Sequence, residues 1–319
     1  MKPRSAAAII THNSAGPISA CLASALARCA EVLVIDNASE DGTPQMVARF
    51  AGVRLIANRS NRGFAAAVNQ ALAALDSECV LLLNPDAELL SEIDPLAEAC
   101  REPGVAAAAG KLVDELGRPQ VGFNVRSFPT PAALAFEALG FNRLLPSNPV
   151  NRRYRRLDLD PDRPAEVEQP AGAFLMLRRD VWRRLGGFDE SFHPVFFEEV
   201  DFLRRAARHG YRVRYVPAAV ARHRGGHSVM RLPPGHRQRY WYSNLLRYAE
   251  KHFGRGALVA VSAAVLVGVV ARMGTSLFAR ERFEALAAHG KVIPLAAKFL
   301  VSGSSRAGAA RSAAAGSVG

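Results

Sequence analysis

Three carboxylates stand within four residues in Phe196-Phe197-Glu198-Glu199-Val200-Asp201-Phe202. Val200, Leu203 and Ala207 recur at helical spacing, so the acids occupy the first turn of an amphipathic helix, where negative charge also suits the helix dipole. The two aromatic residues before them lower the local dielectric, which lifts a carboxylate pKa toward that of a working general base. Glu198, Glu199 and Asp201 are all candidates for that base. A fourth acid, Asp86, follows the apolar run Val80–Leu83 as Asn84-Pro85-Asp86, and a carboxylate at the end of a buried strand is placed to hold a divalent ion against a diphosphate. His223, just beyond Ala218–Ala221, can give the same ion a neutral nitrogen. His227 repeats a zinc-helix spacing, but Gly225-Gly226 opposes a helix, and a zincin site is not expected.

Two further clusters have the character of a nucleotide site. Val34-Ile35-Asp36-Asn37-Ala38-Ser39-Glu40-Asp41-Gly42-Thr43 is a buried strand that ends in acids and amides. Asp41 and Thr43 are explained as helix caps, whereas Asp36 and Asn37 sit at the strand tip, where a carboxylate can accept from the N3–H of a pyrimidine. In Asn58-Arg59-Ser60-Asn61-Arg62-Gly63-Phe64, Gly63 and the small residues after it would let a bound group approach a helix start. Phosphates favour such starts, and Arg62 adds positive charge.

The elements that must carry these residues alternate. Ala6–Ile10, Glu31–Ile35, Val53–Ala57, Val80–Leu83 and Val105–Gly110 read as strands, separated by helical segments at 17–28, 43–50, 63–75 and 92–101. That rhythm predicts βαβ units and a mostly parallel sheet. Ligands gather at the C-terminal ends of such strands, and there lie Thr11 and Asn13, Asp36 and Asn37, Asn58, and Asn84 and Asp86. Residues 116–168 break the pattern with Pro-rich and Arg-rich sequence and an apolar patch, Leu134–Leu145, and read as an insertion or an acceptor-side lid. Order returns with a strand at Gly172–Leu177, helices near 179–185 and 198–208, and a strand near Arg212–Val216.

The 319 residues carry a formal charge of +12, and the excess is local: 26 Lys/Arg balance 26 Asp/Glu up to residue 221, against 15 and 3 beyond it. A neutral body with a basic, apolar tail points to an anionic surface, either nucleic acid or the cytoplasmic face of a membrane. Ala257–Ala271 holds fifteen uncharged residues before Arg272, fewer than the about 20 that a span needs. We read it as an interfacial or re-entrant segment, with a true span or a soluble hydrophobic helix as alternatives. The expected division is 1–228 for the catalytic domain, 229–302 for a helical membrane-associating region and 303–319 for a disordered tail. Cys21, Cys29, Cys79 and Cys100 lack paired spacing and read as reduced core thiols. Ala6–Ile10 is too short for a signal core, so export is not expected.

Together these segments resemble glycosyltransferase family 2, inverting enzymes of the GT-A (Rossmann-like) fold, and especially its bacterial rhamnosyltransferase-like branch. The matching elements are the Thr11/Asn13 strand end, VIDNASEDGT at 34–43, NRGFAAAVNQA at 61–71, LLLNPDAEL at 81–89, AGAFLMLRRDVWRRLGGFDESFHPVFFEEVDFLRRAARHGYRV at 171–213, and His223–Ser228. The resemblance implies that Asp36 binds the base, that Arg62 and Gly63 lie by the nucleotide, and that Asp86 and His223 hold Mg²⁺ or Mn²⁺. Thr11, Asn13, Asn37, Asn69 and Asn84 join the nucleotide-sugar set. Glu199 falls where the family usually has an Asp as base, and Asn84-Pro85-Asp86 stands for its Asp-x-Asp motif. The implied donor is dTDP-rhamnose or a relative, the acceptor is polyprenyl-diphosphate-linked or another glycan, and the place of work is the cytoplasmic membrane surface.

Other classes fit less well. A nucleotidyltransferase normally has a Gly-rich triphosphate loop that Thr11–Pro17 lacks, and a dehydrogenase would show GxGxxG after the first strand. A non-catalytic nucleotide-sugar binder leaves the base cluster unused. Arg239-Tyr240-Trp241-Tyr242 could stack on nucleic acid but equally suits a membrane interface, and no nucleic-acid partner is expected.

Overall fold

The apolar runs become β1 (Ala6–Thr11), β2 (Glu31–Asp36), β3 (Val53–Ala57) and β4 (Cys79–Leu83), linked by α1 (Ile18–Arg28), α2 (Thr43–Val47) and α3 (Phe64–Ala74). This computed structural model describes residues 5–225, 232–276 and 282–301; His227, Ser228 and the 303–319 tail lie outside the described residues. The four strands lie side by side and parallel, with Thr11 opposite Asp36 and Asp36 opposite Ala57. Helical crossovers enforce that arrangement, and it brings the polar strand ends to one rim.

Next come β5 (Ala87–Leu89), α4 (Asp94–Arg101) and β6 (Val105–Val113), then an excursion through β7 (Val125–Arg126), α5 (Pro131–Leu139), α6 (Phe141–Leu144), α7 (Pro149–Tyr154), β8 (Ala165–Val167) and β9 (Gln169–Pro170). The chain returns as β10 (Phe174–Arg178), α8 (Arg179–Arg184), α9 (Glu198–Arg208) and β11 (Arg212–His223). The strand order is β3-β2-β1-β4-β10-β6-β11-β5, with β8 also on β11, and β7 pairs β9 in a small second sheet. Parallel pairing runs through β3, β2, β1 and β4 and returns between β6 and β11, with antiparallel strands set among them. β10 inserts antiparallel between β4 and β6, and β5 and β8 pair antiparallel with β11. Only a strand apolar on both faces can lie at the centre, and Phe174–Leu177 is buried throughout. Apolar side chains fill both faces of the sheet, and the four cysteines are buried and free.

β11 absorbs both of the strand-like runs at 212–216 and 218–221. Its pairing with β6 breaks between Val216 and Val220, where Pro217 has no N–H to give the ladder.

Contacts divide the chain into two units: 1–128 with 155–231, and 129–154 with 232–319. The first holds the sheet. The second joins α5, α6 and α7 to α10 (Pro234–His252), α11 (Arg255–Ser276) and α12 (Arg282–Gly290), so part of the 116–168 segment groups with the C-terminal region. α11 is unbroken, unlike a re-entrant segment, and Arg255–Thr275 is long and apolar enough to cross a membrane, with 39% of its most apolar window buried in the protein. It packs closely on α5: a Cβ on Gly268 would lie 2.0 Å from the Ala138 carbonyl oxygen. Arg272 donates to that oxygen at 2.6 Å and to the Tyr242 hydroxyl, so the charge in the interior of the apolar helix has partners inside this unit.

Candidate active site

At the tips of β1 and β2 the polar side chains bond to one another. Thr11 Oγ1 donates to Asp36 Oδ1 at 2.8 Å, while the Ser39 amide and hydroxyl donate to Asp36 Oδ2 and Oδ1 at 2.9 and 2.5 Å. Asn13 closes the loop, its amide donating to Ser39 Oγ and its Oδ1 accepting from Glu40 N–H, both at 2.8 Å. Asp41 takes the Thr43 amide and hydroxyl, as capping predicts. Asn37 is buried, with its Nδ2 on the Gly63 oxygen at 3.0 Å and its Oδ1 accepting from Asn58 Nδ2 at 3.0 Å. It ties the end of β2 to the loop before α3, where Arg62 is exposed.

Two members of the nucleotide-sugar set also have structural partners. Gly63, at the start of α3, packs against the segment that precedes α9. A Cβ there would lie 2.7 Å from His193 Nδ1, and the Phe64 N–H donates to the Pro194 oxygen at 2.7 Å. Gly63 is required because its φ is +83°, a conformation that side chains disfavour. Asn69 has given all its amide capacity elsewhere: Nδ2 to the Phe188 oxygen and Glu190, and Oδ1 to Trp182 Nε1 and the Phe188 N–H. It joins α3 to the segment after α8.

One ladder brings Asp86 and His223 together. β5 runs antiparallel to β11 with Ala87 opposite His223, which sets Asp86, one residue earlier, beside the imidazole. His223 Nε2 lies 3.5 Å from Asp86 Oδ1, with side-chain exposures of 1% and 5%. Nε2 is buried without a hydrogen-bond partner, and Nδ1 meets Gln120 Oε1 at 3.1 Å while Phe123 stacks on the ring at 5.3 Å. A buried nitrogen without a protein partner facing a carboxylate fits a cation site. Among the described residues no group of three or more His, Cys, Asp or Glu could hold a metal. Two protein ligands suit an ion that completes its shell from phosphate and water, as Mg²⁺ does. The Asn84 amide donates to the Ala173 oxygen at 3.0 Å, joining this tip to β10.

The three acids of α9 have different surroundings. Asp201 is fully buried and ion-paired with Arg205 at 2.8 Å, and Arg205 also donates to the oxygens of Leu185 and Gly187. Glu198 is buried with one carboxyl oxygen unpartnered, and burial, then the charge of Glu199, pushes its pKa well above the usual range. Glu199 alone reaches the surface, packed beneath Gly172 with its Cγ 3.7 Å from where a Cβ would stand. Burial raises its pKa, opposed by its own backbone N–H and then by Arg126. Phe196 and Phe197 precede them at φ +87° and +71°, each costing on the order of 1–3 kcal/mol, the kind of strain found at functional sites. Gln120 and Arg126 lie in the irregular 116–168 stretch, where no periodicity singles them out, and Ser39 carries no signal that marks it as a partner of Asp36.

Comparison with known proteins agrees with this geometry. The profile of glycosyl transferase family 2 matches residues 7–184, and that of glycosyl transferase family group 2 matches 151–301. The N-acetylglucosaminyl-diphospho-decaprenol L-rhamnosyltransferase of Mycobacterium tuberculosis is 32% identical over 249 residues, covering 74% of this chain and 80% of the relative. The low-salt glycan biosynthesis hexosyltransferase Agl10 of Haloferax volcanii is 27% identical over 59% of this chain and 56% of its own. Among solved structures, GalNAc-T7 with UDP, GalNAc and Mn²⁺ aligns with a TM-score of 0.54 at 15% identity, over 77% of this chain and 47% of the other. The mannosyltransferase PcManGT from Pyrobaculum calidifontis, in complex with GDP-Man and Mn²⁺, gives 0.50 at 20% identity, over 95% and 86%. The fold is that of a GT-A glycosyltransferase. The chain belongs to glycosyl transferase family 2.

Proposed function

We propose that this enzyme moves a sugar, L-rhamnose from dTDP-rhamnose being the best candidate, onto a polyprenyl-diphosphate-linked acceptor with inversion at the anomeric carbon. The observation that carries the reading is the half-buried Glu199, raised in pKa and packed against Gly172, whose neighbour Ala173 takes the Asn84 N–H at the strand tip that leads to Asp86 and His223. Asp36, held by Thr11 and Ser39, orients the base of the donor; Asn13, Arg62 and Asn84 border the same space, and Asn37 braces it. Glu199 takes the proton from an acceptor hydroxyl, whose oxygen attacks the anomeric carbon. The bond to the nucleoside diphosphate breaks and its electron pair leaves with the phosphate. Mg²⁺ or Mn²⁺ held by Asp86 and His223 would neutralise the charge that collects there.

The relative from Mycobacterium tuberculosis supports the sugar and the lipid-linked acceptor by its name. The basic C-terminal third and exposed Phe141, Leu144, Leu145, Val267 and Val270 in the second unit support peripheral association with the cytoplasmic membrane face. Purified protein screened against nucleotide-sugars with Mn²⁺ or Mg²⁺ tests the reaction through nucleoside diphosphate release. Fastest release from dTDP-rhamnose with a lipid-linked acceptor is the expected result. Release that ignores the acceptor, or equal turnover of every donor, would overturn the assignment.

A further inference from the structure

The hydrogen bonds around His223 determine which ring nitrogen bears its proton. Gln120 Nε2 lies 2.8 Å from the His223 carbonyl oxygen, and Gln120 Oε1 lies 3.1 Å from His223 Nδ1. A carbonyl oxygen only accepts, so the amide must present its NH₂ there. Oε1 is thereby left facing Nδ1, and since Oε1 also only accepts, Nδ1 must carry the hydrogen. The neutral ring then has its lone pair on Nε2, the buried atom without a partner that faces Asp86. With no such constraint the reverse tautomer would prevail, because an Nε2–H could donate to the Asp86 carboxylate and each group would satisfy the other.

Gln120 is itself firmly held. Its N–H donates to the Leu112 oxygen at 2.9 Å, its oxygen accepts from the Asn124 N–H at 2.9 Å, and the turn before it is closed by Asp114, which accepts from the amides of Leu116 and Arg118. Leu112 pairs with Ala221 on β11, two residues from His223, so the amide and the imidazole are fixed to neighbouring strands. Phe123 covers the ring face at an interplanar angle of 13°, which prevents the imidazole from turning over.

We propose that Gln120 is a positioning residue that fixes the His223 tautomer and so keeps an open nitrogen ligand beside Asp86 for a divalent cation. The proposal rests on the reading of Asp86 and His223 as the metal ligands. Hydrogen-bond partners of ligating histidines typically contribute 10–100-fold to metal affinity. Gln120→Leu removes both hydrogen bonds, whereas Gln120→Glu keeps the acceptor for Nδ1–H.

The test uses the full chain with Mn²⁺ alone and Mn²⁺ with dTDP, following free Mn²⁺ by electron paramagnetic resonance. Thermal melting is recorded in parallel, and the ring nitrogens are read by ¹⁵N resonance after histidine labelling, with His223→Ala identifying the His223 signals. Expected are an Nδ1–H ring in the metal-free wild type, a shift toward Nε2–H and Mn²⁺ binding weaker by about 10–100-fold in Gln120→Leu, and binding within a few-fold of wild type in Gln120→Glu. An Nε2–H ring in the wild type overturns the proposal, even if Gln120→Leu fails to fold. Unchanged Mn²⁺ binding by a folded Gln120→Leu overturns it too. Asp86→Ala separates the two levels: if it binds Mn²⁺ as the wild type does, the metal site itself is misassigned, whereas loss in Asp86→Ala with none in Gln120→Leu sinks only the role of Gln120.

Discussion

At the tips of β1 and β2, Thr11, Asn13, Asp36 and Ser39 bond to one another, and Asn37 bonds to the loop before α3. At the tips of β4 and β11 and the start of α9, His223 Nε2 and Glu198 Oε2 are buried without hydrogen-bond partners. The first region is internally satisfied. The second carries buried polar atoms without hydrogen-bond partners, which cost free energy unless something supplies what they lack. On the function proposed above, recognition is prepared by hydrogen bonds made in advance, and chemistry by bonds withheld.

Substitutions at the acids should widen or close that contrast. Glu199→Gln should lower kcat by about 10²–10⁴-fold while donor binding and melting temperature change little; single-turnover kinetics and calorimetry read the two. In the wild type, kcat/KM should rise with pH through an inflection above the ordinary glutamate value of about 4.3, because burial raises the Glu199 pKa and the base must be ionised. Asp201→Ala, only two residues away, should act on stability. It strands Arg205 in a buried setting, at a cost of about 3–5 kcal/mol in denaturant unfolding. Should Asp201→Ala fold normally and lose only turnover, the roles of the two acids would have to be exchanged.

On the satisfied side, Ser39→Ala removes one donor to Asp36 and the acceptor of the Asn13 amide. About 1 kcal/mol per lost hydrogen bond should raise the donor KM roughly five- to thirtyfold with kcat nearly unchanged. The smallest expected effect is a gain. Glu198 has a folded-state pKa above its unfolded one, so its contribution to stability is fully present below about pH 4.3 and is lost as pH rises through the raised value. Glu198→Gln should therefore melt higher than the wild type at pH 8 and alike at pH 4. A lower melting temperature at pH 8 would mean that the charged carboxylate is held by partners after all.

Much of this was legible in the sequence because it is local. Strands β1 to β4 announce themselves as apolar runs between helical segments, and Thr11, Asp36 and Asp86 fall at their ends whatever lies beyond. The antiparallel entry of β10 was not legible, since strand direction is settled by the path of the intervening 116–168 excursion and leaves no mark on Phe174–Leu177. The structural partners of Asn69 and Gly63 were illegible for a related reason: both residues are matched to side chains or backbone more than a hundred residues away. Gln120 stands in a stretch without periodicity, and its meaning appears only once β6 and β11 pair.

The two proposed metal ligands are brought together by one antiparallel ladder, β5 on β11, downstream of the irregularity at Val216–Val220. Side chains alternate along a strand, so a slip of one residue would turn His223 to the opposite face. The irregularity at Pro217 therefore works like a frame-setting punctuation mark. Side chains on the outward positions of β11 are open to change, but a single-residue insertion between Val220 and His223 would separate the imidazole from Asp86 without altering either residue.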